Sequence, residues 1–143
     1  MPLIDSAPVM AVPKQPVVLV VDDNEMARMM LSFIVSEQGF EVRTAASGWE
    51  AVDVYAKEAI DLVLLDVVMP GIDGPKTLEI LKARAPRVCC CFATAGTGNY
   101  SDGDLAERGA AWIFKKPFSA PEIGQVLQRL LHDTPRPAET AAS

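Results

Sequence analysis

Three short apolar runs end abruptly in charged side chains, and this constrains the fold more than any other feature of the chain. Val17-Val18-Leu19-Val20-Val21 runs into Asp22-Asp23, Asp61-Leu62-Val63-Leu64-Leu65 runs into Asp66, and Ala110-Ala111-Trp112-Ile113-Phe114 runs into Lys115-Lys116-Pro117. Short apolar runs between stretches of helical periodicity predict buried parallel strands joined by crossover helices. In an open parallel sheet, ligands bind beyond the carboxyl ends of the strands. If the three runs are neighbouring strands, three acids and a lysine gather at one edge. That set suits a hard cation and a phosphoryl group.

The rest of the chain alternates in the same way. The first helix is predicted from Asn24, a good N-cap, with Met30, Leu31, Ile34 and Val35 on its inner face and Gly39 as its stop. Glu41 to Ala45 reads as a second strand. Ser47-Gly48-Trp49-Glu50 has the form of a capping box opening a second helix, whose inner face is predicted to carry Val52, Tyr55 and Ala56. Asp61 to Asp66 is the third strand. A loop containing Met69-Pro70-Gly71 leads to a third helix from about Asp73, with Pro75 tolerated in its first turn and Leu78 and Leu81 as anchors.

Arg87 to Ala93 is predicted as the fourth strand and Ala110 to Phe114 as the fifth. Between them, Gly96, Gly98, Gly103 and Gly109 limit any helix to about Ser101 to Arg108, since Gly costs ~1 kcal/mol against Ala in a helix. We expect this segment to be loose; the other reading is a segment that orders on phosphorylation or on a partner. Ser119-Ala120-Pro121-Glu122 forms another capping box, and Ile123, Val126, Leu127, Leu130 and Leu131 then make a core-facing stripe.

Composition fits one domain. The chain has 143 residues, half of them hydrophobic, so residues 16–132 are expected to form a single domain. Residues 1–15 are expected to be a flexible arm and residues 133–143 a disordered polar tail, with no room for a second output domain. Net charge is -6 without a basic stripe, which argues against nucleic acid as a partner. No run reaches the ~18 apolar residues of a membrane span, and Met1 to Pro16 lacks the basic start and continuous apolar stretch of a signal peptide. A cytoplasmic protein is expected. The three cysteines, Cys89, Cys90 and Cys91, are consecutive. Neighbours on a strand face opposite ways, so they read as small buried hydrophobes, not as metal ligands.

Five motifs together carry a resemblance. Asp22-Asp23 after the first strand, Asp66 at the end of the third, Met69-Pro70-Gly71 after it, Thr94-Ala95 at the end of the fourth and Lys116-Pro117-Phe118 at the end of the fifth match the receiver domain of two-component response regulators. Each has an ordinary reading when taken alone. Asp22-Asp23-Asn24 could only cap a helix, Asp66 could be any strand-end acid, Thr94 a β-branched strand residue and Lys116 a solvated charge. Their joint occurrence in order is what resembles the family, over roughly residues 16–132.

The resemblance implies a flavodoxin-like α/β fold: a five-stranded parallel sheet of order 2-1-3-4-5 with helices on both faces. It implies Mg²⁺ held by Asp23 and Asp66, by Asp22 mostly through water, and by the Val68 carbonyl. Asp66 would be the nucleophile, Lys116 would neutralise charge on the transferring oxygens, and Thr94 would bond a phosphoryl oxygen. The implied role is a stand-alone, chemotaxis-type switch or phosphorelay member, not an enzyme beyond its own phosphorylation and dephosphorylation. Its partners would be a sensor histidine kinase or phosphotransfer protein and a downstream protein target, with the chain a monomer or weak dimer. A non-phosphorylated receiver-like interaction module is the alternative. A Mg²⁺-dependent phosphatase is disfavoured, because Val68 stands where such enzymes carry a second acid.

Three positions bear on how such a switch would work. Ile113 stands where most members carry an aromatic ring that swings on phosphorylation, which predicts a muted switch; Trp112 should face the other way. Val68 and Gly96 occupy the positions that tune hydrolysis, and neither can orient a water through a polar side chain. Slow to moderate self-dephosphorylation is expected.

Overall fold

The computed structural model describes residues 15–132, so the expected arm and tail lie outside the described residues, apart from Gln15. Five strands and five helices alternate: β1 (Val17–Val21), α1 (Glu25–Glu37), β2 (Glu41–Ala45), α2 (Gly48–Lys57), β3 (Leu62–Leu65), α3 (Gly74–Arg84), β4 (Cys90–Thr94), α4 (Asp102–Glu107), β5 (Trp112–Lys115) and α5 (Ala120–His132). All pairings are parallel and the order is β2-β1-β3-β4-β5. This is the doubly wound fold expected above.

The apolar runs become strands for a simple reason. Every residue of β1, β3 and β4 is buried, so each needs apolar side chains on both faces. Alternation then divides the core in two. Leu19, Val21, Val63, Leu65, Cys90 and Phe92 face α2, α3 and α4, where Val52, Leu78, Leu81 and Leu105 meet them. Val18, Val20, Leu62, Leu64, Cys91 and Phe114 face α1 and α5, meeting Leu31, Val35, Ile123, Leu127 and Leu131. Cys90 and Cys91 sit on opposite faces of β4, and Cys89 packs beside the α1–α5 side. Burial pushes all three thiols up.

Helix starts follow their caps. Asn24, Ser47, Asp73 and Ser101 each accept a hydrogen bond from the backbone three residues on. The two boxes expected at Ser47 and Ser119 close only halfway. Glu50 reaches past Ser47 to accept from the Ala46 N–H at 2.7 Å, and Glu122 instead accepts from the Trp112 indole at 3.1 Å. The complete box is in α4, where the Ser101 hydroxyl accepts from the Asp104 N–H and the Asp104 carboxylate from the Ser101 N–H.

The bounds of three strands and two helix faces differ from expectation. Asp61 and Asp66 flank β3 without joining it, β4 starts at Cys90 instead of Arg87, and β5 is shifted to Trp112–Lys115. Met30 is 58% exposed, because it lies well round α1 from the core-facing Leu31 and Val35. Ala56 is exposed, and Ala51 takes its place in the core.

Candidate functional site

The site is built from residues at or immediately beyond four strand ends. The sheet's backbone bonding continues past β1 and β3: the Asp22 N–H donates to the Ala45 carbonyl at 3.2 Å and the Asp66 N–H to the Val21 carbonyl at 3.0 Å. The Lys116 N–H donates to the Thr94 carbonyl at 2.9 Å. These bonds hold Asp22 beside Asp66, and Lys116 beside Thr94, at one edge.

There the sheet gathers three acids. One carboxylate oxygen from each of Asp22, Asp23 and Asp66 lies within 4.8 Å of the other two. Asp22 and Asp66 are buried, whereas Asp23 is exposed. Asp22 uses both oxygens: Oδ1 accepts from the Asn24 N–H at 2.9 Å, and Oδ2 lies 3.3 Å from Lys116 Nζ. Its own carbonyl accepts from the Arg28 guanidinium at 2.7 Å. Asn24, not the acids, caps α1, which leaves the carboxylates turned to the site.

The electrostatics follow. Burial pushes the Asp66 carboxyl above the usual carboxylate range, and the Asp22 charge pushes it the same way. The Thr94 hydroxyl, Lys116 ammonium and Val67 N–H pull it back without cancelling the rise. Three carboxylates against one ammonium leave a formal charge of about −2. A divalent, oxygen-seeking ion fits such a set, and Mg²⁺ needs only one or two carboxylates besides water.

Thr94 is buried at the end of β4; its hydroxyl accepts from the Gly96 N–H at 3.2 Å and donates to the Gly96 carbonyl. Lys116 Nζ also stands 5.7 Å from the centre of the Phe118 ring. Val68, two residues past Asp66, has an exposed side chain. Lys115, which had no expected role, pairs with Asp102 on the surface at 3.2 Å.

Two supporting residues escaped the sequence reading. A Cβ on Gly74 would fall 2.2 Å from the Asp66 carbonyl oxygen and 2.9 Å from the Val67 Cα, so the first turn of α3 presses on the backbone carrying Asp66. The Gly74 N–H donates to the Val67 carbonyl at 2.8 Å, which secures the contact. A glycine directly after the Asp73 cap was the available signal. The second is Tyr100, whose hydroxyl donates to Asp73 Oδ2 at 2.9 Å and ties the segment before α4 to the start of α3.

Residues 18–128 match the family model for the response regulator receiver domain. The chain belongs to that family. Among receiver-containing relatives, it is 34% identical over 118 residues to sporulation initiation phosphotransferase F of Bacillus subtilis, covering 80% of this chain and 92% of that protein. It is 35% identical over 114 residues to the chemotaxis protein CheY of Listeria monocytogenes, covering 78% and 94%. Other relatives are longer: the match to the regulatory protein AtoC of Escherichia coli, at 33% identity and 80% of this chain, spans 25% of that protein. The receiver fold superposes on TrrA of Thermotoga maritima in complex with Mg²⁺-BeF, with a TM-score of 0.75 and 30% identity over 82% of this chain and all of that one. CheY4 of Vibrio cholerae gives 0.76 and 29%, with the same coverage. The protein is thus a receiver module of two-component signalling. No helix among its described residues is long and apolar enough to cross a membrane.

Proposed function

We propose that this receiver accepts a phosphoryl group on Asp66 from the phosphohistidine of a sensor histidine kinase or phosphotransfer protein. The observation that carries this reading is the position of Asp66: buried, beside Asp22 and Asp23, within the influence of both Thr94 and Lys116. An Asp66 carboxylate oxygen forms the new bond to phosphorus as the donor's P–N bond breaks, and the electron pair returns to the imidazole nitrogen. Asp22, Asp23, Asp66 and the Val68 carbonyl would hold Mg²⁺, which when bound neutralises charge on the transferring oxygens. Lys116 supplies a second positive charge at the same edge, and the Thr94 hydroxyl can turn from Gly96 to an arriving phosphoryl oxygen.

The module then signals by protein contact or passes the group on, as a cytoplasmic switch. Val68 and Gly96 bring no polar side chain to an attacking water, so self-dephosphorylation is slow to moderate. The test is Mg²⁺-dependent labelling with acetyl phosphate, read by intact mass on the wild type and Asp66→Asn. One added phosphoryl group, absent in the variant, supports the reading. If neither labelling nor beryllium fluoride binding occurs in Mg²⁺, the chain is a surface-only interaction module.

A further inference from the structure

Helix α4 is the shortest of the five described, six residues with a glycine among them, yet it is fastened to α3 at three points. Before it, the Tyr100 hydroxyl donates to Asp73 Oδ2 at 2.9 Å, while Asp73 Oδ1 caps α3 by accepting from the Lys76 N–H. In its middle, Leu105 is fully buried in the same apolar cluster as Leu78 and Leu81. Past its end, Lys82 Nζ donates to the Arg108 carbonyl at 3.1 Å. The Arg108 guanidinium also lies 5.0 Å from the centre of the Tyr100 ring, so the two ends of the helix hold each other. The stretch from Ala95 to Asn99 differs. All of it is exposed except Thr97, and a Cβ on Gly96 would meet nothing within 4 Å. Its hydrogen bonds among the described residues are local: the Thr94 hydroxyl with Gly96, and the Thr97 carbonyl accepting from the Tyr100 N–H at 3.1 Å.

We infer that Tyr100 is a positioning residue that pins α4 to α3, so that phosphorylation rearranges Ala95 to Asn99 and stops there. The inference rests on the reading of Asp66 and Thr94 given above. When the Thr94 hydroxyl turns to a phosphoryl oxygen, it leaves both of its bonds to Gly96. The loop then resettles between two fixed points. One is the Thr94 backbone, whose carbonyl accepts from the Lys116 N–H at 2.9 Å. The other is Tyr100, held by Asp73. Carrying α4 along would break a hydrogen bond to a carboxylate, one of the stronger kinds, and draw Leu105 out of the core. Thr94 offers no comparable gain, because it exchanges its bonds to Gly96 for one to the phosphoryl group. From the β5 side, Ile113 presents no ring to pull on the helix. The surface that phosphorylation alters is therefore the loop at the acidic edge, and not the outer face of α4.

The experiment is amide NMR on the full chain in Mg²⁺, with and without beryllium fluoride, for the wild type, Tyr100→Phe and Asp73→Ser. Serine keeps a cap for α3 and loses the oxygen that holds Tyr100. In the wild type, shift changes should be large at Asp66 and from Thr94 to Asn99 and fall away across 102–108. In either variant they should run on through Leu105 to Arg108. Wild-type changes that cross α4, or changes that still stop at Asn99 in Tyr100→Phe, would overturn the inference. Hydrogen exchange without beryllium fluoride gives an independent reading. Each single variant should speed exchange across 102–108 by about two- to tenfold, the size of one net hydrogen bond, and the double variant no further. Additive effects would mean that the two side chains do not act through their mutual bond, and would overturn the inference as well. A wild type whose Asp66 and Thr94 do not respond to beryllium fluoride would sink the phosphoryl-acceptor reading instead, and the exchange comparison would still decide whether Tyr100 pins the helix.

Discussion

Lys116 Nζ stands 3.3 Å from Asp22 Oδ2, although 94 residues separate them in the chain. The ion pair links the ends of β1 and β5, which are not neighbours in the sheet. Asp22 is the more enclosed partner, its side chain 2% exposed against 25% for Lys116. With its other oxygen bonded to the Asn24 N–H, Asp22 is a fixed negative charge facing Asp66. The site is therefore preloaded with repulsion that only added positive charge or a proton can relieve.

That repulsion fixes a pH dependence. The Asp66 carboxyl is raised in the folded protein, so the folded state holds this proton more tightly than the unfolded chain. Above the raised value both states are ionised and Asp66 destabilises the fold in full. As pH falls through that value the cost is relieved, and it is gone below the ordinary carboxylate value. Asp66→Asn should therefore be more stable than the wild type at neutral pH, with the gap closing in mild acid. Mg²⁺ should stabilise the wild type more than the variant. Urea unfolding against pH, with and without Mg²⁺, checks both; stability curves that run parallel for the two proteins would sink the idea.

Gly74 should be intolerant of even one methyl group. Gly74→Ala drives Cβ into the Asp66 carbonyl, and overpacking of this kind costs about 1–3 kcal/mol. Gly96→Ala meets nothing within 4 Å and should be nearly neutral. Urea midpoints of the two variants make the comparison. Equal costs would show that α3 can slide off the Asp66 backbone.

Tyr100 should govern the order of the segment before α4. Its hydroxyl bond to Asp73, and the Arg108 guanidinium 5.0 Å from its ring centre, are the ties that offset the glycines around it. Tyr100→Phe removes one hydrogen bond, about 0.5–1.5 kcal/mol of local stability. Amide exchange should accelerate across 100–108 and stay unchanged in β1 and β3. Uniform acceleration along the chain would mean that the segment unfolds only globally.

Ile113 should move little on activation. It packs against the α2–α4 side of the core with no swinging ring, while Trp112 turns its indole to Glu122 on α5. Methyl NMR with Mg²⁺ and beryllium fluoride should show large changes near Asp66 and Thr94 and small ones at Ile113. A rearrangement of the whole β5 face would contradict this.

The sheet and its acidic edge were legible in the sequence because they rest on local signals. Buried parallel strands need unbroken apolar runs, and the charges that end those runs fall at one edge by topology. Asn24 likewise announced its helix. What was not legible depends on rotation or on distance. Met30 and Ala56 read as core because periodicity alone does not fix which edge of an apolar stripe turns inward. The Tyr100–Asp73 bond spans 27 residues and leaves no local trace. Glu50 and Glu122 followed the spacing of capping boxes but found other partners nearby.

The three cysteines carry one more consequence. Cys90 and Cys91 are fully enclosed on opposite sides of β4, and burial holds both as neutral thiols. An alkylating reagent needs a thiolate and a path to it. Both become accessible only when the sheet separates, so their rate of modification is a clock for global opening. Cys89, half-buried just before the strand, reports on local fraying beside it. The native chain thus contains its own two-hand timer, set in the strand that ends at Thr94, and needs no introduced probe.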